Sequence, residues 1–280
     1  MRHLVNRIAA LTAILVLPVV AAPVLADETQ TPAFRASGSA TVVSDYRFRG
    51  VSLSNNGLAV EAGIGVAHKT GLYAGFWASS LAGWGTFGGS NIELDLFGGY
   101  KLPVGAGTLD VGLTWYMYPG GADNTDFAEP FAKLSGSVGP LGLLAGVAYA
   151  PPQEALGNWL NHPDSRLGDK EHNLYVWGDS AYGVKNTPVT IKAHVGYSNG
   201  NPGLGPNGTS DAPTGSYFDW LLGADYVLGP VTLGVAYVDT DIDFNSIEAQ
   251  RLQPNFSQDQ RPGGKSISDA RVVFSVSATF

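Results

Sequence analysis

The residues of this chain that could do chemistry fall into a few groups, and the first is built on histidine. His162 and His172 flank one long polar stretch with Asp164, Asp169 and Glu171 beside them, and His194 stands four residues before Ser198. A histidine shared between a hydroxyl and a carboxylate is the arrangement of nucleophilic hydrolysis, so a hydrolase with groups at the rim of a barrel is one reading. On an extended strand, however, His194 and Ser198 lie ~13 Å apart, too far for a nucleophile and its base to share a hydrogen bond. Histidines in loops beside acids are ordinarily solvated side chains, so no catalytic residue is assigned and the chain is read as a non-enzyme.

A second group suggests metal. Asp239, Asp241 and Asp243 alternate as a calcium loop begins, but Phe244 stands where the sharp turn needs glycine and Gln250 where the bidentate glutamate belongs. Without cysteine there are no disulfides, thiolate metal sites or cysteine nucleophiles, and no metal or cofactor is assigned. Gly203-Leu204-Gly205-Pro206-Asn207-Gly208 spells a dinucleotide fingerprint, yet in a proline-containing stretch that opens no helix.

The third group is the largest: charged residues that alternate with apolar ones. The acids are Asp45, Glu61, Glu93, Asp95, Asp110, Glu129, Asp179 and Asp225; the bases are Arg47, Arg49, Lys133, Lys192 and Arg271, with His194 among them. Such residues face one side of a sheet while apolar residues face the other. Which side meets water depends on the elements that carry them.

Composition narrows those elements. The 280 residues include 37 glycines, nearly twice the usual ~7%, and only 14% are charged against the usual ~25%. Little polar material is left for an ordinary water-facing surface, yet beyond residue 26 no apolar run approaches the ~20 residues of a membrane helix. The first 26 residues read as a cleaved export signal: Arg2 and Arg7, an apolar core from Ile8 to Ala22, and Val24-Leu25-Ala26 before Asp27. Their removal takes two arginines and no acid, so the net charge passes from −8 to −10. An acidic exported chain is a poor nucleic-acid binder, and none is expected as a partner.

Through the rest of the chain the dominant period is two, as in Leu58, Val60, Ala62, Ile64 and Val66, or Leu109, Val111, Leu113, Trp115 and Met117. About twelve strands can be read, the first around Ala40 to Arg49 and two noisier ones at 71–79 and 127–136. Connections at 68–71, 101–107, 137–140, 183–188 and 228–230 are short; those at 52–57, 80–90, 118–125, 151–170, 199–216 and 240–268 are mostly long. Short turns at one end and long loops at the other are the habit of outer-membrane barrels, with the turns periplasmic and the loops extracellular. Apolar-face aromatics also gather at strand ends: Tyr100, Tyr182, Tyr226 and Phe280 at the short-turn side, Trp115, Tyr149, Tyr197, Trp220 and Tyr237 at the other. Two girdles around an aliphatic band mark two membrane interfaces. The chain ends on Val272, Phe274, Val276, Ala278 and Phe280, similar to the sorting signal by which outer-membrane barrels are recognised for assembly.

The expected fold is therefore all-β: a transmembrane antiparallel up-and-down barrel of about 12 strands. Residues 1–26 would be the cleaved signal, 27–37 a short periplasmic segment and 38–280 the single barrel domain. Pairing Tyr226 with Val231 across Leu228-Gly229-Pro230 keeps one face apolar. A first hairpin symmetric about Ser54 would pair Arg47 with Glu61, and Lys192 could face Asp225.

Ser44-Asp45-Tyr46-Arg47-Phe48-Arg49-Gly50-Val51-Ser52, then Gly71-Leu72-Tyr73-Ala74-Gly75-Phe76-Trp77-Ala78-Ser79 and Ile92-Glu93-Leu94-Asp95-Leu96-Phe97-Gly98-Gly99-Tyr100, resemble the proteobacterial TorF family of porin-like proteins, also known as the Gcw_chp domain family. The detailed likeness covers residues 38–100, and it implies an outer-membrane channel protein.

With the acids and bases above as pore-lining candidates, the expected function is passive diffusion of small hydrophilic solutes or ions, with weak cation preference. Arg47→Ala should alter conductance if that side chain narrows the lumen. The alternatives are the rim hydrolase and a non-conducting structural or adhesive barrel. The expected partners are outer-membrane lipid, the barrel-assembly machinery at the C-terminal strand, and the solutes.

Overall fold

The computed structural model describes residues 32–83, 87–157, 166, 168–202, 211–243, 245–247, 249 and 266–280. The export signal, His162, Asp164, Phe244, Gln250 and the 203–208 fingerprint lie outside the described residues.

Alternating sequence becomes alternating burial. Twelve strands close into one antiparallel barrel: β1 (Phe34–Val43), β4 (Ala59–His68), β5 (Leu72–Ser80), β6 (Ile92–Val104), β7 (Gly107–Met117), β8 (Phe127–Val138), β9 (Leu141–Gln153), β10 (Glu171–Gly183), β11 (Val189–Gly200), β12 (Ser216–Leu228), β13 (Val231–Thr240) and β14 (Arg271–Thr279). Two further short strands, β2 (Arg47–Phe48) and β3 (Val51–Ser52), pair only with each other. Each barrel strand is hydrogen-bonded to its sequence neighbours, and β1 closes the cylinder against β14, Ser39 opposite Thr279. The C-terminal residue takes part in closure, with Gly38 N–H donating to Phe280 O (2.7 Å) and Phe280 N–H to Gly38 O (3.0 Å). Closure leaves no unpaired sheet edge, a requirement for strands surrounded by hydrocarbon.

The outer face is aliphatic, with Val60, Ile64, Leu96, Leu113, Val195, Leu222 and Val276 all exposed. Of the girdle residues, Tyr100, Tyr182, Tyr226, Phe280, Trp115, Tyr149 and Tyr237 are exposed outward, while Tyr197 packs against Phe218 at 4.9 Å between ring centres. Several inward rings take up the space beside glycines of the next strand, where a Cβ would otherwise stand. A Cβ on Gly75 would stand 2.5 Å from the ring of Phe97, and one on Gly112 2.6 Å from that of Phe131. Glycine there lets a large ring lie along the wall instead of across the lumen.

Three expectations are corrected. The first strand runs Phe34–Val43 and not through Arg49; residues 45–56 leave the sheet and fold into the barrel. The Arg47–Glu61 pair consequently does not form, because Thr41 stands opposite Glu61. The turn at 229–230 is also tighter than expected: Leu228 pairs with Val231 and Tyr226 with Leu233. That slip moves the register by two residues, which keeps every side chain on its expected face.

Candidate functional site

The chemistry collects in the lumen, and its centre is the segment between β1 and β4. Asp45 is the hub of that segment. Its Oδ2 accepts from Arg47 Nε at 2.7 Å, and its Oδ1 accepts from Ser52 Oγ (2.5 Å) and Ser54 Oγ (3.2 Å). Arg47 extends further, donating through Nη1 to Gly50 O and Asp269 O (both 2.8 Å) and through Nη2 to Asn56 Oδ1 (2.9 Å). Arg271 Nη2 donates to Asn56 O at 3.0 Å, which ties the segment to β14. A short run thus satisfies its own polar groups away from bulk water, as buried polar groups must be.

At its tip the chain reverses between Phe48 and Val51 through Arg49 (φ 49°) and Gly50 (φ 80°), both with the positive φ of a type I′ turn. A side chain on Gly50 would run into Thr240 and Asp219, so the tip is pressed against the wall. A positive φ is unusual for arginine, and the surroundings account for it. Arg49 Nη2 meets both oxygens of Glu129 (2.8 and 2.7 Å), and Nη1 lies 3.5 Å from Asp211. The guanidinium carbon stands over Phe48 (4.7 Å) and Tyr175 (4.2 Å), and Tyr217 donates its hydroxyl to Arg49 O. Burial alone would lower the basicity of Arg49, but Glu129 and Asp211 outweigh it and raise its pKa. Burial pushes the Asp211 carboxyl up to about 7 against the pull of Arg49.

Apolar contacts back these bonds. Tyr46 packs on Trp77 (5.4 Å) and Phe48 on Tyr116 (5.8 Å), with Tyr116 stacked on Phe127 (4.6 Å).

Beyond the tip, charges lie mostly in opposed pairs. Lys192 Nζ binds Asp225 Oδ1 at 2.7 Å, the pairing expected from the hairpin, although Lys192 is in register with Gly223. Lys133 is 3.5 Å from Asp110, which also accepts from Tyr73 OH at 2.6 Å. His194 is held on both ring nitrogens, Nδ1 by Asp179 (2.6 Å) and Nε2 by Tyr175 OH (2.8 Å) and Asp219 (3.1 Å). Both nitrogens are thus engaged by groups other than Ser198, so the Ser-His pairing has no geometry here. His172 lies by the ring of Tyr149, 5.8 Å away.

Glu61, Glu93 and Asp95 stand apart from these pairs. Glu61 is opposite Ser79, and Ser79 opposite Glu93, so one row crosses β4, β5 and β6 with Asp95 two residues along. Tyr46 of the inward segment donates its hydroxyl to Glu93 Oε2 at 3.1 Å. Burial, then the carboxylates of Glu93, Asp95 and Glu61, raise the Tyr46 pKa well above that of an ordinary phenol.

Sequence reading passed over several members of this site. Tyr175 and Asp219 alternate with the outward Val176 and Trp220, so the period of two already pointed them inward. Asp211, by contrast, is a loop residue folded back to 2% exposure, and no local pattern marks it.

An aliphatic exterior, a closed twelve-strand antiparallel sheet and a charged interior define a membrane-spanning β-barrel. The chain belongs to the Gcw_chp family, described as bacterial protein of unknown function, whose model matches residues 27–280. No curated protein matches the sequence. Among solved structures it is similar to an outer membrane channel from Pseudomonas putida F1 (10% identity, TM-score 0.44, 90% of this chain and 97% of that one). It is also similar to a porin refined at 1.8 Å (13% identity, TM-score 0.41), covering 79% of this chain and 62% of that porin's length. What this barrel does has to be read from its own residues.

Proposed function

We propose that this chain is a porin-like channel of the bacterial outer membrane, passing small hydrophilic solutes or ions with a weak preference for cations. The observation that supports it is the contrast between the two faces of one closed sheet: aliphatic outside, and inside charged groups of both signs. Charged side chains facing a lumen set which solutes enter it. The segment 45–54 is the constriction, held in place by Arg49 on Glu129. The exterior belt meets lipid, and the strand ending in Phe280 is the part presented to the assembly machinery.

Single-channel recording of the refolded barrel in planar bilayers tests the reading. Small, cation-preferring steps are expected for the wild type and larger ones for Arg49→Ala. Absence of steps above background in both would overturn it.

A further inference from the structure

We propose that Glu61, Glu93 and Asp95, on the wall beneath Tyr46, form a transit site for a small cation. This deepens the channel reading, and only the transit part rests on it; binding stands or falls separately.

The charges of the lumen point to this place. Among the described residues Asp45 is paired with Arg47, Glu129 and Asp211 with Arg49, Asp110 with Lys133, Asp225 with Lys192, and Asp179 and Asp219 with His194. The acids left over are Glu61, Glu93 and Asp95, and they are neighbours. Glu61, Ser79 and Glu93 occupy one row on adjacent strands, which in a sheet are ~4.8 Å apart, and Asp95 follows on the same inward face.

A second observation concerns the oxygens themselves. Glu93 and Asp95 are each 0% exposed, and Asp95 Oδ1, Asp95 Oδ2 and Glu93 Oε1 are buried without a hydrogen-bond partner. An isolated carboxylate so placed is costly unless a positive charge joins it. Every other buried acid among the described residues has a cationic side chain beside it, Asp211 included although its oxygens also lack a hydrogen bond; these have none. The Tyr46 hydroxyl supplies one donor to Glu93 and no charge.

The donor set also fixes the kind of ligand. Carboxylate and hydroxyl oxygens suit hard cations. Among the described residues no group of three or more acids, histidines or cysteines is placed to hold a metal ion directly. The ligand is accordingly a loosely held cation that keeps part of its water. Conduction requires this balance, a site favourable enough to enter and weak enough to leave.

Terbium(III), a hard oxygen-seeking cation, is the probe for binding, because the rings of Tyr46 and Trp77 beside the site can sensitise its emission. On the refolded full barrel at neutral pH, sensitised emission is expected in the wild type, to fall severalfold in Glu93→Gln/Asp95→Asn, and to persist in the control Asp225→Asn. Glu61→Gln, at the less buried end of the row, should lower it in the same direction. Potassium in excess should compete. No emission in the wild type would mean that the carboxyls hold protons instead, and equal emission in all variants would mean that the ion binds elsewhere; either overturns the site. Reversal potentials across a potassium chloride gradient then test transit, with cation preference expected to shrink towards zero in Glu93→Gln/Asp95→Asn. Emission that depends on these residues in a barrel that never conducts would keep the site and remove the channel reading. Unchanged cation preference in the double variant would overturn the transit role.

Discussion

Arg47 and Arg49 are two residues apart and look equivalent in the sequence, yet their partners give them different work. Arg47 binds Asp45, Gly50 and Asn56, all within its own segment, in addition to the Asp269 carbonyl. Arg49 crosses to Glu129 on β8 and so fixes the segment to the wall. Arg49→Ala leaves Glu129 and Asp211 buried without their cation, a loss of about 3–5 kcal/mol where one partner of a buried pair is removed. The expected outcome is a lower urea midpoint and a larger unitary conductance, both read on the same refolded protein; an unchanged conductance would remove the segment from the permeation path. Gly196 makes a separate case. A Cβ there would collide with the Tyr175 hydroxyl and lie 2.5 Å from Asp219 Oδ2, the two groups that hold His194 Nε2. Gly196→Ala should therefore cost about 1–3 kcal/mol, the usual penalty of overpacking, in equilibrium unfolding.

At the scale of elements, the segment 45–56 and the strand β14 show what a sequence pattern does and does not announce. The first strand was expected to run through Phe48 and Arg49, but positive φ at two successive residues, Arg49 and Gly50, ends any strand and folds the chain back on itself. The reversal is stable because Asp45, Ser52, Ser54 and Asn56 satisfy one another, a circuit of contacts invisible to a period of two. In β14 the alternation was plain, and its outward residues are those expected: Val272, Phe274 and Val276 are exposed, and Phe280 is 69% exposed at the seam with Gly38. Deleting Phe280 removes both seam hydrogen bonds and the final aromatic. Slower assembly into bilayers is expected, followed as the conversion of unfolded to compact species on unheated gels, while assembly at the wild-type rate would deny the residue a role in closure.

For the whole molecule the governing fact is that the sheet is inverted relative to a water-soluble protein, with charge inside and aliphatic surface outside. Leu222 lies in the middle of β12 on the outer face, 60% exposed. Leu222→Arg should destabilise the barrel by about 2–4 kcal/mol in lipid, the usual cost of arginine near the bilayer midplane, measured by unfolding from vesicles. In detergent micelles, which yield more readily around a charge, the penalty should be smaller.

The strand count, the sidedness of the clearly alternating strands, the uneven loop lengths and the Lys192–Asp225 pair were legible in the sequence, because alternation along an extended chain is a local property. Even the two-residue error of register at Tyr226 preserved sidedness for that reason. The inward fold of 45–56, the recruitment of Asp211 from a loop and the clamping of His194 between Asp179 and Asp219 were not, since each depends on which side chains a turn or a strand stagger brings together, and alternation does not encode that. Sequence determined that this protein would wrap charge inside an apolar wall; only the closed barrel decided which charges meet, because closure sets the stagger between strands and leaves three lumen acids, among the described residues, without a cationic partner.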